Sequence, residues 1–167
     1  FSGGDVIRKG LVYLLEAMHK LGTTGVKLQL TIVGARIRHE DMSFPIHQLG
    51  MVPFDKVAEE YKKHHVICIP TLEDGIACAL QEGMACGLVP ITTPECAEAF
   101  RDKESGFVVP YRDAGAIAEI LAALYHSPEH MAKVGRAARA LAERQTWAQY
   151  VKDAAEIVRR VVASKRP

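Results

Sequence analysis

The stretch 66-VICIPTLEDGIACALQEGMACGLVPITT-93 decides the fold. Its first piece, 66-VICIP-70, is β-branched and uninterrupted by polar residues, the pattern of a strand covered on both faces in a parallel sheet. The loop 71-TLEDG-75 follows, then an apolar helix that begins near Ile76 or Ala77 and is capped by Gly87. A second strand, 88-LVPITT-93, closes the unit. Strand, helix and strand in that order imply a parallel pair joined by a crossover. Three carboxylates interrupt this apolar run, Glu73 and Asp74 in the loop and Glu82 in the helix, and the spacing to Glu82 with Gly75 following favours Asp74 over Glu73. An unpaired buried carboxylate costs several kcal/mol or gives up its charge. Either Glu82 pairs with a cation and Asp74 is a loop residue or helix cap, or the helix faces something polar that the chain does not contain.

The alternation continues on both sides. Upstream, 1-FSGGDVIRKG-10 reads as the end of a strand entering a glycine-rich turn, and apolar residues at 11, 14, 15, 18 and 21 give 11-LVYLLEAMHKL-21 a helical period. The strand 27-KLQLTIVG-34 ends in glycine, where a backbone can turn tightly or approach a ligand. Polar 35-ARIRHEDMSFPIHQ-48, broken by Pro45, reads mostly as loop. A short strand around 48-QLGMVP-53 precedes the amphipathic helix 54-FDKVAEEYKKHH-65. Downstream come a helical piece at 95-ECAEAFRD-102, a strand at 106-GFVVP-110, and three helices over 113–126, 128–145 and 147–165 that are expected to wrap around the sheet. The class is α/β, a Rossmann-like parallel sheet with helices on both faces and extra C-terminal helices. One domain accounts for residues 1–167. A domain seldom starts inside its first strand, so a fragment of a longer protein is expected.

The bulk properties fit one globular domain. The 167 residues are 49% hydrophobic and 25% charged, with a net charge of +1. Near-neutral charge leaves no footprint for nucleic acid. No apolar run approaches the ~20 residues of a membrane span, and no stretch reads as a signal peptide. Cys68, Cys78, Cys86 and Cys96 form no CxxC pair and read as reduced core thiols of a cytoplasmic protein. The seven histidines form no convincing metal cluster. Basic residues in 158-VRRVVASKRP-167 suit a solvated helix end, with contact to an anionic membrane as the alternative.

Position gives the carboxylates meaning. Ligands of open parallel sheets sit beyond the carboxyl ends of the strands, where 71-TLEDG-75 lies. The helix that follows offers free amides and a positive dipole end suited to phosphate. If all of 74–82 is helical, Asp74 and Glu82 stand about 12 Å apart along the axis, enough for a diphosphate with sugar hydroxyls at each end. A carboxylate accepts strongly from adjacent hydroxyls. At the other glycine turn, 3-GGDVIRKG-10, Arg8 and Lys9 are placed to meet phosphate together with bare backbone amides. The turn is neither a Walker A loop nor a G-x-G-x-x-G fingerprint.

In order and spacing these pieces resemble the C-terminal half of retaining glycosyltransferases of the GT-B fold, the large family-4 type, over nearly the whole chain. The resemblance rests on 8-RKG-10 before 11-LVYLLEA-17, on 31-TIVG-34, on 49-LGMVPFDKVAEEY-61, and on Asp74-Gly75 with Glu82 eight positions after the acid and 84-MACGLVP-90. It extends to Glu98 with 105-SGFVVP-110 and to 146-TWAQYVKD-153.

The resemblance implies a nucleotide-diphosphate-sugar donor, of UDP or GDP type, with no cofactor and no metal ion, cationic side chains and a helix end standing in. Glu82 would take the ribose hydroxyls, and Met51 and Val52 would lie near the base. Gly3, Gly4 and Gly34 would border the donor, and the backbone of Gly75, Ile76 and Ala77 would approach its diphosphate and sugar. Asp74 would meet the sugar hydroxyls, and Lys9 would neutralise the diphosphate leaving group. The implied activity is hexosyl transfer to a sugar, lipid or other small acceptor held by the protein's own N-terminal domain, so the isolated domain would transfer nothing. A place in the cytoplasm, peripheral to the membrane face in the full-length protein, goes with it. Two positions depart from the family: Asp74 stands where Glu is usual, and Gly4 where an Arg is frequent, with Arg8 the candidate to supply the guanidinium. The rival readings are a non-catalytic nucleotide-binding scaffold and an epimerase of the same fold. A pyridoxal-phosphate phosphorylase finds no support.

Overall fold

A computed structural model describes residues 1–38, 42–75 and 77–164. In chain order the elements are α1 (Leu11–Gly22), β1 (Leu30–Val33), β2 (Ile46–Gly50), α2 (Phe54–Tyr61), β3 (Val66–Ile69), α3 (Cys78–Ala85) and β4 (Val89–Thr92). A 3-10 turn, Pro94–Ala99, follows, then β5 (Phe107–Val108), α4 (Ala114–His126), α5 (Pro128–Ala142) and α6 (Trp147–Ser164). All pairings between these strands are parallel, β1 with β2 and β3–β4–β5 in order.

One continuous sheet is the expectation from the alternation; the described strands instead form a two-stranded and a three-stranded sheet. The Phe1 nitrogen donates to the Thr31 carbonyl at 3.0 Å, and the Val33 and Gly3 amides donate in turn to Phe1 and Val33. β1 and β3 are not paired with each other. Between them lies a cavity of about 450 Å³ lined by Leu28, Leu30, Val66, Ile67 and Cys68 among others. It reaches Lys27 and His65 at the amino ends of the strands, the wrong end for the predicted ligand.

Successive strand residues face opposite ways, and β3 shows the result. Cys68 packs into a core with α1, β1 and α4, through Leu14, Met18, Ile117 and Leu121. Its neighbours Ile67 and Ile69 join Leu80 and Met84 of α3 in a second core. Helices therefore cover both faces, as the apolar strand requires. Burying side chains the size of Leu80 or Met84 stabilises by ~1.5–3 kcal/mol each. The second core is tight: a Cβ on Gly83 would lie 2.8 Å from Ile67, so only glycine lets α3 approach β3 this closely.

The closing helices divide. Asp113 caps α4 by accepting from the Ala116 amide at 2.9 Å, and α5 starts on Pro128, whose missing N–H costs nothing at a first turn. Both helices bury apolar residues. The third does not wrap the sheet as expected: α6 has no buried residue. Its stripe of Trp147, Tyr150, Val151, Ile157 and Val158 stays exposed. The basic end at 165–167 lies outside the described residues.

Candidate functional site

Two loops at the carboxyl ends of the strands are stitched together. The Leu72 amide donates to the Arg8 carbonyl at 2.8 Å. The Thr71 hydroxyl stands 3.1 Å from the carbonyls of both Arg8 and Glu73, and the Arg8 guanidinium donates to the Glu73 carbonyl at 3.0 Å. Behind them the buried Thr93 hydroxyl donates to Thr71 (2.6 Å) and that of Thr92 to Ile69 (2.7 Å). Gly10 makes the approach possible. Its φ is +70°, and a Cβ there would lie 2.0 Å from the Pro70 carbonyl oxygen, a clash that no side chain survives.

This stitching brings Arg8, Lys9 and Asp74 together. The Lys9 ammonium donates to Asp74 Oδ2, and Arg8 Nη1 lies 3.6 Å from Oδ1. The Lys9 and Asp74 side chains are only 13% and 14% exposed, so the pair is sheltered from solvent screening. Arg8 is more open, and its amide and Nε also meet Asp5. The Arg8 amide is the largest cause holding the Asp5 carboxyl below its usual pKa.

The carbonyl of Glu82 accepts from the Cys86 amide at 3.1 Å, but its carboxylate makes no hydrogen bond or ion pair among the described residues. Half-buried on α3, it is close enough to Tyr61 and Cys86 to raise the pKa of each, although burial is the larger cause in both. The cation partner that a purely structural role for Glu82 calls for is not there. The helix α3 begins only at Cys78. Glu82 thus stands four residues beyond the helix start, about 6 Å along the axis, and the longer helical spacing does not apply.

The glycines gather at the same edge. A Cβ on Gly34 would lie 3.1 Å from the backbone of Gly3, and one on Gly4 3.7 Å from the Gly34 carbonyl oxygen. The Gly34 amide donates to Gly50 at 2.7 Å, which places Met51 and Val52 directly after this cluster. Met51 is 84% exposed. In the α3 loop, the Gly75 amide already meets Asp74 Oδ1 at 3.1 Å, and burial raises the pKa of the Cys96 thiol while the nearby Ala77 amide lowers it. Ile76 lies outside the described residues. With no side chain capping α3, its first amides remain open to a ligand.

Sequence reasoning passed over the residues that hold the loops. Thr71, Thr92 and Thr93 carried a usable signal, hydroxyls at the ends of wholly apolar strands, where a buried oxygen needs a partner. Cys96 carried none. Nor are all four cysteines core thiols: Cys68 and Cys96 are buried, Cys86 is half-buried and Cys78 is exposed, because Cys78 sits on the open face of the first turn of α3. Among the described residues, no group of three or more His, Cys, Asp or Glu is placed to hold a metal ion, and no helix is long and apolar enough to cross a membrane.

Comparison with known proteins places this geometry. Residues 1–127 match the family of glycosyl transferases of group 1. The amylovoran biosynthesis glycosyltransferase AmsK of Erwinia amylovora is 29% identical over 154 residues, 81% of this chain and 38% of that protein. The C-terminal domain of the group 1 glycosyl transferase LpcC from Francisella tularensis superposes with a TM-score of 0.71 at 19% identity, over 81% of this chain and 78% of that one. Anabaena HepE, solved with UDP-glucose, gives a TM-score of 0.75 at 15% identity over 91% of this chain and 45% of its own. The chain thus spans well under half the length of AmsK or HepE. It belongs to the glycosyl transferases of group 1 and has the fold of a C-terminal GT-B glycosyltransferase domain.

Proposed function

We propose that this chain binds the nucleotide-diphosphate-sugar donor of a glycosyltransferase whose acceptor is held by a further, N-terminal domain of the polypeptide. The observation that carries the reading is the Glu82 carboxylate, without a cation partner among the described residues, on the helix that follows the Arg8–Lys9–Asp74 cluster in the chain. Glu82 accepts from the ribose hydroxyls. Arg8, Lys9 and the first amides of α3 neutralise the diphosphate, which makes a metal ion or other cofactor unnecessary. In the free chain Asp74 holds Lys9. Sugar hydroxyls replace the ammonium on that carboxylate, and Lys9 turns to the phosphates as charge develops on the leaving group. Met51 and Val52 flank the base, with Gly3, Gly4 and Gly34 leaving room for the donor.

The UDP-glucose bound to HepE favours a UDP donor, and the role of AmsK in amylovoran biosynthesis favours a hexosyl donor and a sugar acceptor. Retention at the anomeric carbon, a cytoplasmic location at the membrane face and inactivity of the isolated domain belong to the same proposal. Calorimetric titration with UDP, GDP and their sugars tests it. A charge-assisted hydrogen bond is worth ~1.5–3 kcal/mol, so Glu82→Ala should weaken binding by about 10- to 150-fold. A folded wild-type chain that binds none of these ligands would sink the proposal.

One observation favours a second reading, a nucleotide-binding module that transfers nothing. The carboxylate nearest the sugar is already engaged by Lys9 and Arg8, and Gly4 offers no side chain. Labelled donor supplied to the full-length protein with a panel of acceptors separates the two, since the module releases no labelled product.

A further inference from the structure

Arg8 and Lys9 hold the loop at Glu73 and Asp74, but they do not reach Gly75. Gly75 is exposed, and a Cβ there would meet nothing within 4 Å. A restraint on its carbonyl comes from beneath, from a sulfur atom. Cys96 sits on the 3-10 turn Pro94–Ala99 and is 1% exposed. Its thiol donates to the Gly75 carbonyl at 2.9 Å, and the Ala77 amide is near enough to act on the sulfur. One side chain therefore bears on Gly75 and Ala77 together. Its anchorage is firm: Cys96 lies in the core shared with Ile69, Leu80 and Phe100, and the Thr92 hydroxyl is within reach of the sulfur.

The chemistry suits the task. A thiol can donate to a carbonyl only while protonated, and burial, outweighing the pull of the Ala77 amide, raises its pKa. Asp74 and Lys9 are both near enough to act on it. Sulfur stands on a longer bond than a serine oxygen does and is larger, which lets it reach both backbone groups at once.

We propose that Cys96 is the positioning residue of the donor loop: its thiol clasps Gly75 and Ala77 and thereby fixes Asp74 and the open first turn of α3 against a nucleoside diphosphate. This rests on the donor-binding reading above. Cys96 touches no donor atom and acts through the loop alone. Its effect therefore falls on the diphosphate end of the ligand and spares the base end.

Two arms test the proposal on the chain as it stands. In the first, amide exchange is followed without ligand. Cys96→Val keeps the apolar volume and removes the donor; it should speed exchange at Ala77 about tenfold or more while core amides of β3 and β4 stay protected. Cys96→Ser should restore part of the protection, and Cys96→Ala replaces the valine if that variant does not fold. In the second arm, UDP and GDP are compared with uridine and guanosine. Cys96→Val should weaken the diphosphates about tenfold and leave nucleoside binding unchanged. Unaltered exchange at Ala77 overturns the clasp, as does equal weakening of nucleoside and diphosphate. Should the wild type bind no nucleotide, the donor reading falls and so does the ligand role of Cys96. The exchange arm would still decide whether the sulfur holds the loop.

Discussion

Lys9 and Asp74 meet across 65 positions of sequence, and each is the other's main compensation for leaving water. Removing one partner strands the other in a sheltered site. Lys9→Met and Asp74→Asn should each cost ~1–3 kcal/mol of stability in urea titrations, below the value for a fully buried pair because Arg8 remains near. The double variant should lose clearly less than the sum; strict additivity would show that the pair does not interact. The thiols give a second prediction. Exposed Cys78 should react first with a maleimide, as mass spectrometry of the modified chain will show, whereas Cys68 and Cys96 should wait for unfolding. Burial pushes the Cys68 thiol up from 9.0 to about 12. The unfolded thiol thus ionises first, and the stability tied to Cys68 is whole below pH 9 and lost between pH 9 and 12. Cys68→Ala should flatten that part of the stability profile. At this scale the sequence was partly legible. Glu82 announced itself as a charge without justification in an apolar helix, but the Lys9–Asp74 contact depends on two loops converging in space. The grip of Cys96 on Gly75 depends on a third.

α3 is the element on which the site depends. Its position is set by the contact of Gly83 with Ile67, and its start by the loop bonds at Asp74 and Cys96. Gly83→Ala should push α3 off β3 and cost ~1–3 kcal/mol, as overpacking does. Thermal melts would register that cost, and nucleotide affinity would fall with it if α3 carries Glu82 to the donor. An unchanged melting temperature would mean that α3 can shift freely. Helix α3 itself was legible from 71–90, but its start at Cys78 was not, because the contacts of Asp74 with Lys9 and of Gly75 with Cys96 come from other segments. The strand at 27–34 shortened to Leu30–Val33 for a related reason: strand limits follow the partner's backbone, which the residues of one segment do not encode.

For the whole molecule, two cores on opposite faces of the strands carry the fold, and α6 joins neither. Ending the chain at residue 145 should therefore leave the melting temperature nearly unchanged, within the small range of surface changes, and improve solubility by removing the exposed Trp147–Val158 stripe. A large drop in melting temperature would show that α6 packs where the structure leaves it free. The alternation of strands and helices made the architecture legible in advance. The division into two sheets was not, since strand pairing depends on partner backbones that the residues of one segment do not encode. The central claim is that one edge of this fold receives a nucleoside diphosphate between the glycine turn and α3. Chemical-shift mapping of the isotope-labelled chain during titration with UDP, and then GDP, tests it most directly. The account predicts saturable shifts at Arg8 to Gly10, Gly34, Met51, Val52, Asp74, Gly75, Cys78 and Glu82, with α4 to α6 silent. Shifts confined to the closing helices, or none at all in the folded chain, would contradict it.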